Sequence, residues 1–318
     1  MNKLIIGVMV CCLSITAWAS EQVDRTVDVD EDAFIKIEHV NGEATIKGWD
    51  KNQVLVRGTL SKYTDRFIFK HDNDEVLIEV KVKAKSLRRW NKWEENAGDK
   101  LEIFVPYQSR IKYNSMNADV DVESISGGVS IETINGNMEV AKLAGRIHLQ
   151  SVNGDVTAKE LAGDVNVETV NGDIYSTNSD GREDRYDSVN GDIEVKSSSH
   201  EINVGTVNGD IKLDLGEISQ LNVSTVNGDI DASLSLKKNG DIDAYSVGGG
   251  INLNFQKEVS ARFDIQAHAG GSISNLLSDD KMQKAKYGPS RWLEFSVNGG
   301  HGAVDISTVS GRVKLSTK

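Results

Sequence analysis

The chain is poor in the residues that staple, span or catalyse. Its two cysteines, Cys11 and Cys12, sit side by side near the start, and no other cysteine follows. An exported product that had lost this segment would have no disulfide to hold it together. Beyond residue 19 no apolar run approaches the roughly 20 residues that a helix needs to cross a bilayer, so no membrane span is expected. There is no G-x-S-x-G elbow, and the six histidines (39, 71, 148, 200, 268, 301) form no H-x-H or H-x-x-x-H pair. Nucleophile chemistry and a His-ligated metal are therefore unsupported, and the histidines read as solvated strand residues. Basic residues are scarce in the middle: residues 114–232 carry 7 Lys/Arg against 22 Asp/Glu, whereas residues 51–113 carry 14 against 9. An acidic body repels nucleic acid and anionic lipid surfaces.

The first segment has the form of a leader. Lys3 supplies a short positive region, Leu4–Ile15 an apolar stretch too short for a span, and Ala17–Ala19 a small-x-small cleavage signal. A lipoprotein leader would place a small residue before its cysteine, but Val10 precedes Cys11. The expectation is a cleaved secretory signal, cut after Ala19, and a periplasmic or secreted product. Without Lys3 the chain holds 35 basic and 48 acidic residues, a net charge of −13.

What the chain has in abundance is one word. "VNGDI" stands at Val170–Ile174, Val189–Ile193, Val207–Ile211 and Val226–Ile230, with "VNGDV" at Val152–Val156. The asparagines of the NG pair fall at 135, 153, 171, 190, 208 and 227, in steps of 18 or 19. Beneath this beat, glycines recur every nine residues from 127 to 181, alternating between "NG" and "AG" where the words are regular. In Gly163–Gly172, Val165 and Val167 alternate with Asn166 and Glu168, and Val170 re-enters before the turn. Period two describes a strand, and Gly or Asn suits a tight corner. Hairpins do not explain why like turns lie 18 residues apart, but stacked coils do. The fold expected is all-β: a β-solenoid with coils of 18–19 residues, each made of two strand-turn halves. The pattern does not set its hand; right-handed winding is expected from the twist rule for parallel connections.

Stacked coils place like side chains in columns. The asparagine amides can bond one to the next. Thr133, Ser151, Thr169, Ser188, Thr206 and Thr225 form a hydroxyl column, read as structural in preference to an ice- or water-binding array. Asp155, Asp173, Asp192, Asp210 and Asp229 share another phase. Like charges about 4.8 Å apart cost roughly 0.9 kcal/mol per neighbour even in water, so something must offset them. Two offsets are open: turn N–H groups donating to the carboxylates, or a row of Ca²⁺ ions. The first is preferred, because the Gly-rich word of calcium-binding nonapeptides is absent. No cofactor is indicated.

Residues 20–318 read as one solenoid domain: irregular early coils over 20–113, regular coils over 114–255, and C-terminal coils with a cap over 256–318. The early word "VNGE" at Val40–Glu43 is followed by Ile46/Trp49 and Val54/Val56, and "STVSGRVKL" restores the beat at Ser307–Leu315. Ser274–Trp292 holds the one short helix expected outside the leader. The polar loop 86–100 carries Arg88, Arg89, Trp90 and Trp93. Trp faces with Arg can bind a sugar, an extended peptide or a partner patch, although packing of the tryptophans over the solenoid is the preferred reading.

Together, "GW" with the V-x-V strand after the first VNG, "VPYQSRIKYNSMNADV" at Val105–Val120 and the serial "VNGDI" resemble the bacterial putative-adhesin family of β-strand-repeat proteins, a domain of unknown function. That resemblance implies a secreted or envelope-located β-helix and brings no catalytic residues. The function expected is a non-catalytic, adhesin-like binding or structural scaffold whose partner is an envelope or extracellular protein or glycan. The alternatives are a polysaccharide-cleaving or carbohydrate-binding β-helix, and a sensory protein that recognises another protein.

Overall fold

A computed structural model describes residues 21–83, 98–256 and 258–317. Those residues form strands and turns with no helix, in a β-solenoid-like arrangement. Each regular lap has two walls. The chain leading into an Asn-Gly corner builds the first wall, and the chain leaving it builds the second. Val165 in the first wall pairs in parallel with Asp184 and Ile147, while Val156 in the second pairs with Ile174 and Met138. Strand Val156–Asn171 runs from the second wall, round the Ala-Gly corner, into the first.

Alternation dictates which side chains meet between the walls. Ile147, Val165, Ile202 and Leu221 stand in one first-wall column, and Met138, Val156, Ile174, Ile193, Ile211 and Ile230 in one second-wall column; all are buried. Sealing each aliphatic side chain contributes about 1.5–3 kcal/mol, so the described residues, which include no cysteine, are held by a long dry seam.

The two corners differ physically. At the Asn-Gly corner successive backbones nearly touch: a Cβ on Gly191 would strike the Gly172 carbonyl oxygen. Close approach, more than a turn conformation, therefore fixes glycine there, and φ lies in the left-handed region at Gly136, Gly154 and Gly228. At the second corner glycine is held in the same way, since a Cβ on Gly163 would strike the Gly145 carbonyl oxygen. Three residues before that glycine, however, a side-chain-bearing residue (Ser124, Lys142, Glu160 or Asn178) is also left-handed, with φ between 54° and 64°.

Chain order and stacking order part company at both ends. Strand Phe34–Trp49 lies directly against Arg110–Ile125, and the intervening excursion folds outward. Glu75–Val82 and Asp99–Pro106 continue the two walls in parallel, after which Thr64–Asp72, Gln53–Leu60 and Glu21–Asp28 add antiparallel strands. At the other end Gly302–Thr308 inserts between Ile230–Ser246 and Ala261–Ala267, and Arg291–Val297 closes the first wall antiparallel. Reversing strand direction ends the parallel repeat, a device that discourages further stacking on exposed edges.

The short helix expected in Ser274–Trp292 does not form. The segment closes strand Ser272–Asn275, passes through bends and a two-residue strand, Gln283–Lys284, and opens Arg291–Val297, with which that short strand pairs. Its Asn275 and Ser278 side chains take up the backbone N–H groups of Leu277 and Asp280, local bonds that compete with a helix. Leu276 is 63% exposed, so no apolar face rewards one.

Candidate functional site

The Asn-Gly corner presents three parallel columns. In the first, each asparagine donates its amide N–H to the side-chain oxygen of the preceding lap: Asn153 to Asn135, Asn171 to Asn153, Asn190 to Asn171, Asn208 to Asn190 and Asn227 to Asn208, at 2.8–2.9 Å.

The second column answers how the aspartates tolerate one another. Asp173 N–H donates to Asp155 Oδ1, Asp192 to Asp173, Asp210 to Asp192 and Asp229 to Asp210, at 2.8–2.9 Å. Every carboxylate thus accepts a backbone N–H from the next lap, as the turn-bonding reading expected, and charge-assisted bonds of this kind are about twice as strong as neutral ones. Asn137 takes the same place in its lap, accepting the Asp155 N–H at 3.0 Å.

The third column corrects an expectation. Val170 does not turn into the core. The inward residue is Thr169, and Val170 is 39% exposed. Met116, Ile134, Val189, Val207 and Val226 stand above and below it at 38–43% exposure. The Ser/Thr column is accordingly internal: Ser188, Thr206 and Thr225 donate to the carbonyls of Gly172, Gly191 and Gly209. Buried hydroxyls cannot serve as a surface water-binding array.

An open groove of about 480 Å³ lies on the outer first wall, lined in part by Asn203, Asn222, Tyr245, Asp243, Asp264 and Asp305. The register sets Asp243, Asp305, Asp264 and Glu294 side by side across adjacent strands. Burial raises the Asp305 carboxyl above the ordinary carboxylate value, and the neighbouring Asp243 and Asp264 raise it further while Arg262 opposes them. Burial, with help from Asp241, raises Asp243 as well. Sequence reading missed this row because Asp243 and Asp305 lie far apart in the chain. Only the stacking order unites them.

Two polar clusters are sealed inside. Asp184 interrupts the aliphatic column between Val165 and Ile202 with no exposed surface. Its Oδ2 accepts from the Ser179 and Ser197 hydroxyls, both at 2.7 Å, while Oδ1 has no hydrogen-bond partner. Tyr186 lies beside it, bonded to Ser176 at 3.0 Å, its hydroxyl pushed up by burial and then by Asp184. At the N-terminal end His39 is buried, correcting its reading as a solvated residue. Its Nδ1 meets the Tyr113 hydroxyl at 3.0 Å, and its Nε2 lies 3.6 Å from Asp99 Oδ2. Burial raises the Tyr113 hydroxyl. A His–Tyr–Asp set can move protons, but among the described residues all three members of this one are buried. His71, His200, His268 and His301 are exposed and His148 is half-buried.

Arg88, Arg89, Trp90 and Trp93 lie outside the described residues, as does the leader. Among the described residues no group of three His, Cys, Asp or Glu side chains is placed to hold a metal ion, and no helix is long and apolar enough to cross a membrane.

The fold is that of a β-solenoid-like repeat protein whose distinctive surface is a ladder of like corners. The chain belongs to the Toastrack DUF4097 family, whose model matches residues 33–316. Among curated proteins, none matches it. Solved structures similar to it include a "putative adhesin" from Parabacteroides distasonis ATCC 8503, at 11% identity over 94% of this chain and 98% of that one, with a TM-score of 0.40. Another is a "putative adhesin" from Bacteroides fragilis NCTC 9343, at 13% identity over 93% and 97%, with a TM-score of 0.34. A "putative lipid binding protein" from P. distasonis ATCC 8503 shares 13% identity over 93% and 96%, with a TM-score of 0.39.

Proposed function

We propose that the chain is an exported, non-catalytic scaffold, a right-handed solenoid that acts in the cell envelope as an adhesin-like binding or structural element. Its ligand on this reading is an envelope or extracellular protein or glycan. The observation that carries the proposal is the division of chemistry in the molecule. The proton-moving groups (His39, Tyr113, Asp99, Asp184 and Tyr186) are buried, while the outer surface repeats one corner lap after lap. A rigid repeated edge suits binding.

The acidic groove supports a second reading, cleavage of a polysaccharide, because it sets carboxylates side by side, two of them raised, and glycoside hydrolysis uses a carboxyl pair whose acid member is raised. One experiment separates the two. The protein lacking residues 1–19 is incubated with a panel of bacterial polysaccharides and assayed for new reducing ends, and in parallel is applied to a glycan array and to immobilised envelope proteins. Binding without new reducing ends is expected. Turnover that disappears in Asp305→Asn would replace the scaffold with an enzyme.

A further inference from the structure

The apolar column at the Asn-Gly corner is the least explained part of the surface. Of the eleven large hydrophobic residues exposed among those described, six (Met116, Ile134, Val170, Val189, Val207 and Val226) stand in this one line. Folding does not require them to be apolar. The core-facing residue beside each is a hydroxyl residue, and other outward positions on the same strand are polar, such as Asn166 and Glu168. A strand's liking for β-branched residues would be met equally by threonine. Half-buried Val152 fills the place between Ile134 and Val170, so six lap steps separate Met116 from Val226 and the ridge runs for about 29 Å at roughly 4.8 Å per step. Continuous exposed apolar strips of this kind mark interaction surfaces.

Charge chooses the occupant. The aspartate column flanks the ridge on each lap that carries the full word, and its side chains are exposed or half-buried. The lap-to-lap bonds engage only Oδ1 of each carboxylate, and although Asp173 Oδ2 also accepts the Tyr175 hydroxyl at 3.1 Å, the column keeps its negative charge toward a visitor. A second copy docked ridge to ridge would bring two such columns together, and an anionic membrane would meet the same repulsion. Pitch chooses the form. An α-helix advances 5.4 Å per turn, within about 0.6 Å of the lap spacing. Alternate residues of an extended strand lie roughly 6.8 Å apart and lose register within two residues.

We propose that this ridge seats a cationic amphipathic α-helix of a partner protein, its apolar stripe on the valines and its Lys/Arg side chains toward Asp173, Asp192 and Asp210. The proposal rests on the scaffold reading and names the class of partner for it.

The test uses the chain lacking residues 1–19 and a fluorescent synthetic helix of about 20 residues, long enough for the ridge, with leucine on one face and lysine on the other. Two companion peptides replace the lysines by glutamate or the leucines by serine. The Leu/Lys peptide is expected to bind in low salt and to weaken as salt rises, and neither companion should match it. V170T/V189T/V207T keeps the side-chain shape and should weaken binding roughly tenfold or more, the usual size of a lost anchor. D173N/D192N/D210N should weaken it similarly and flatten the salt dependence. The fold tolerates an amide there, because Asn137 already fills that place.

The proposal is overturned if the threonine variant binds as tightly as the parent protein, or if the Leu→Ser peptide binds as tightly as the Leu/Lys peptide. It is equally overturned if the parent protein sediments as a dimer that the threonine variant dissolves. The two peptide comparisons need only the parent protein, so they decide even if a triple variant misfolds. Failure here alongside retained binding on the glycan array or to envelope proteins removes the ridge and leaves the scaffold. Release of reducing ends removes the scaffold instead.

Discussion

At the scale of single residues, identical placement on successive laps turns a small cost into a repeated one, and the structure offsets it with a repeated bond. The aspartates at the corner do this with backbone N–H groups. The first-wall row of Asp243, Asp305 and Asp264 has no such ladder, and its charge is less well compensated. A carboxyl raised in the folded state holds its proton more tightly there than in the unfolded chain. Its contribution favours folding at low pH and is lost as pH rises through the folded value. At neutral pH Asp305 therefore weighs against the fold, and Asp305→Asn should raise the unfolding midpoint by about 1–3 °C. The gain should shrink as pH falls through the carboxylate range and vanish only below about pH 3, under the unfolded aspartate value. Thermal melts at the two pH values check both the size and the sign.

Asp184 is a sealed side chain held by two short hydroxyl bonds. Removing it strands Ser179 and Ser197, so Asp184→Ala should cost about 2–4 kcal/mol in urea denaturation. Asp184→Asn keeps an acceptor and should cost less than half of that. Equal losses for the two variants would show that cavity formation, and not the hydroxyl bonds, sets the cost.

At the scale of the half-lap, the two corners make different demands. Glu160 holds a left-handed backbone, φ 54°, that costs a side-chain-bearing residue about 1–2 kcal/mol. Glycine escapes that cost but gives up roughly 0.5–1 kcal/mol of chain entropy. Glu160→Gly should thus stabilise slightly, by about 0.5 kcal/mol. Gly191→Ala, at the other corner, must push apart two backbones and should cost about 2–4 kcal/mol. Denaturant midpoints of the two variants on either side of the parent would confirm that the left-handed position at Glu160 merely tolerates a side chain, whereas the closely approached position at Gly191 excludes one.

The strands and the register between laps were legible in the sequence, because period-two alternation and the NG beat are local signals repeated many times. The direction of Val170 was not. Its place next to a turn breaks the alternation, and only the burial of Thr169 shows which neighbour faces inward. The helix expected within Ser274–Trp292 rested on composition without an apolar face, and local side-chain bonds took the backbone instead. His39 looked solvated because nothing nearby in sequence reveals Tyr113 and Asp99, which arrive from other strands. The acidic groove was hidden for the same reason.

At the scale of the whole molecule, each lap touches mainly its two neighbours, so stability is close to a sum of lap and interface terms. That additivity fails at the ends, where excursions fold outward into antiparallel strands, and holds along the regular run. Deleting a whole lap should therefore be tolerated where deleting half of one is not. Excision of residues 156–173 joins Asp155 to Ile174, and Met138 and Ile174 already face Val156 from opposite sides. The shortened chain restores Asn over Asn, and sets Met138 over Ile174 in the second wall and Ile147 over Asp184 in the first, where Val165 stood before. It should fold with the same strand signature in circular dichroism at modestly lower stability. Excision of nine residues, 156–164, joins a second-wall start to a first-wall strand, so that every later residue lands in the wrong wall. That chain should fail to fold or should aggregate through its unpaired strands. Size-exclusion chromatography and circular dichroism on the pair decide the matter. Comparable folding of both shortened chains would mean that the walls are interchangeable, contrary to the unlike corners and the distinct core columns that separate them.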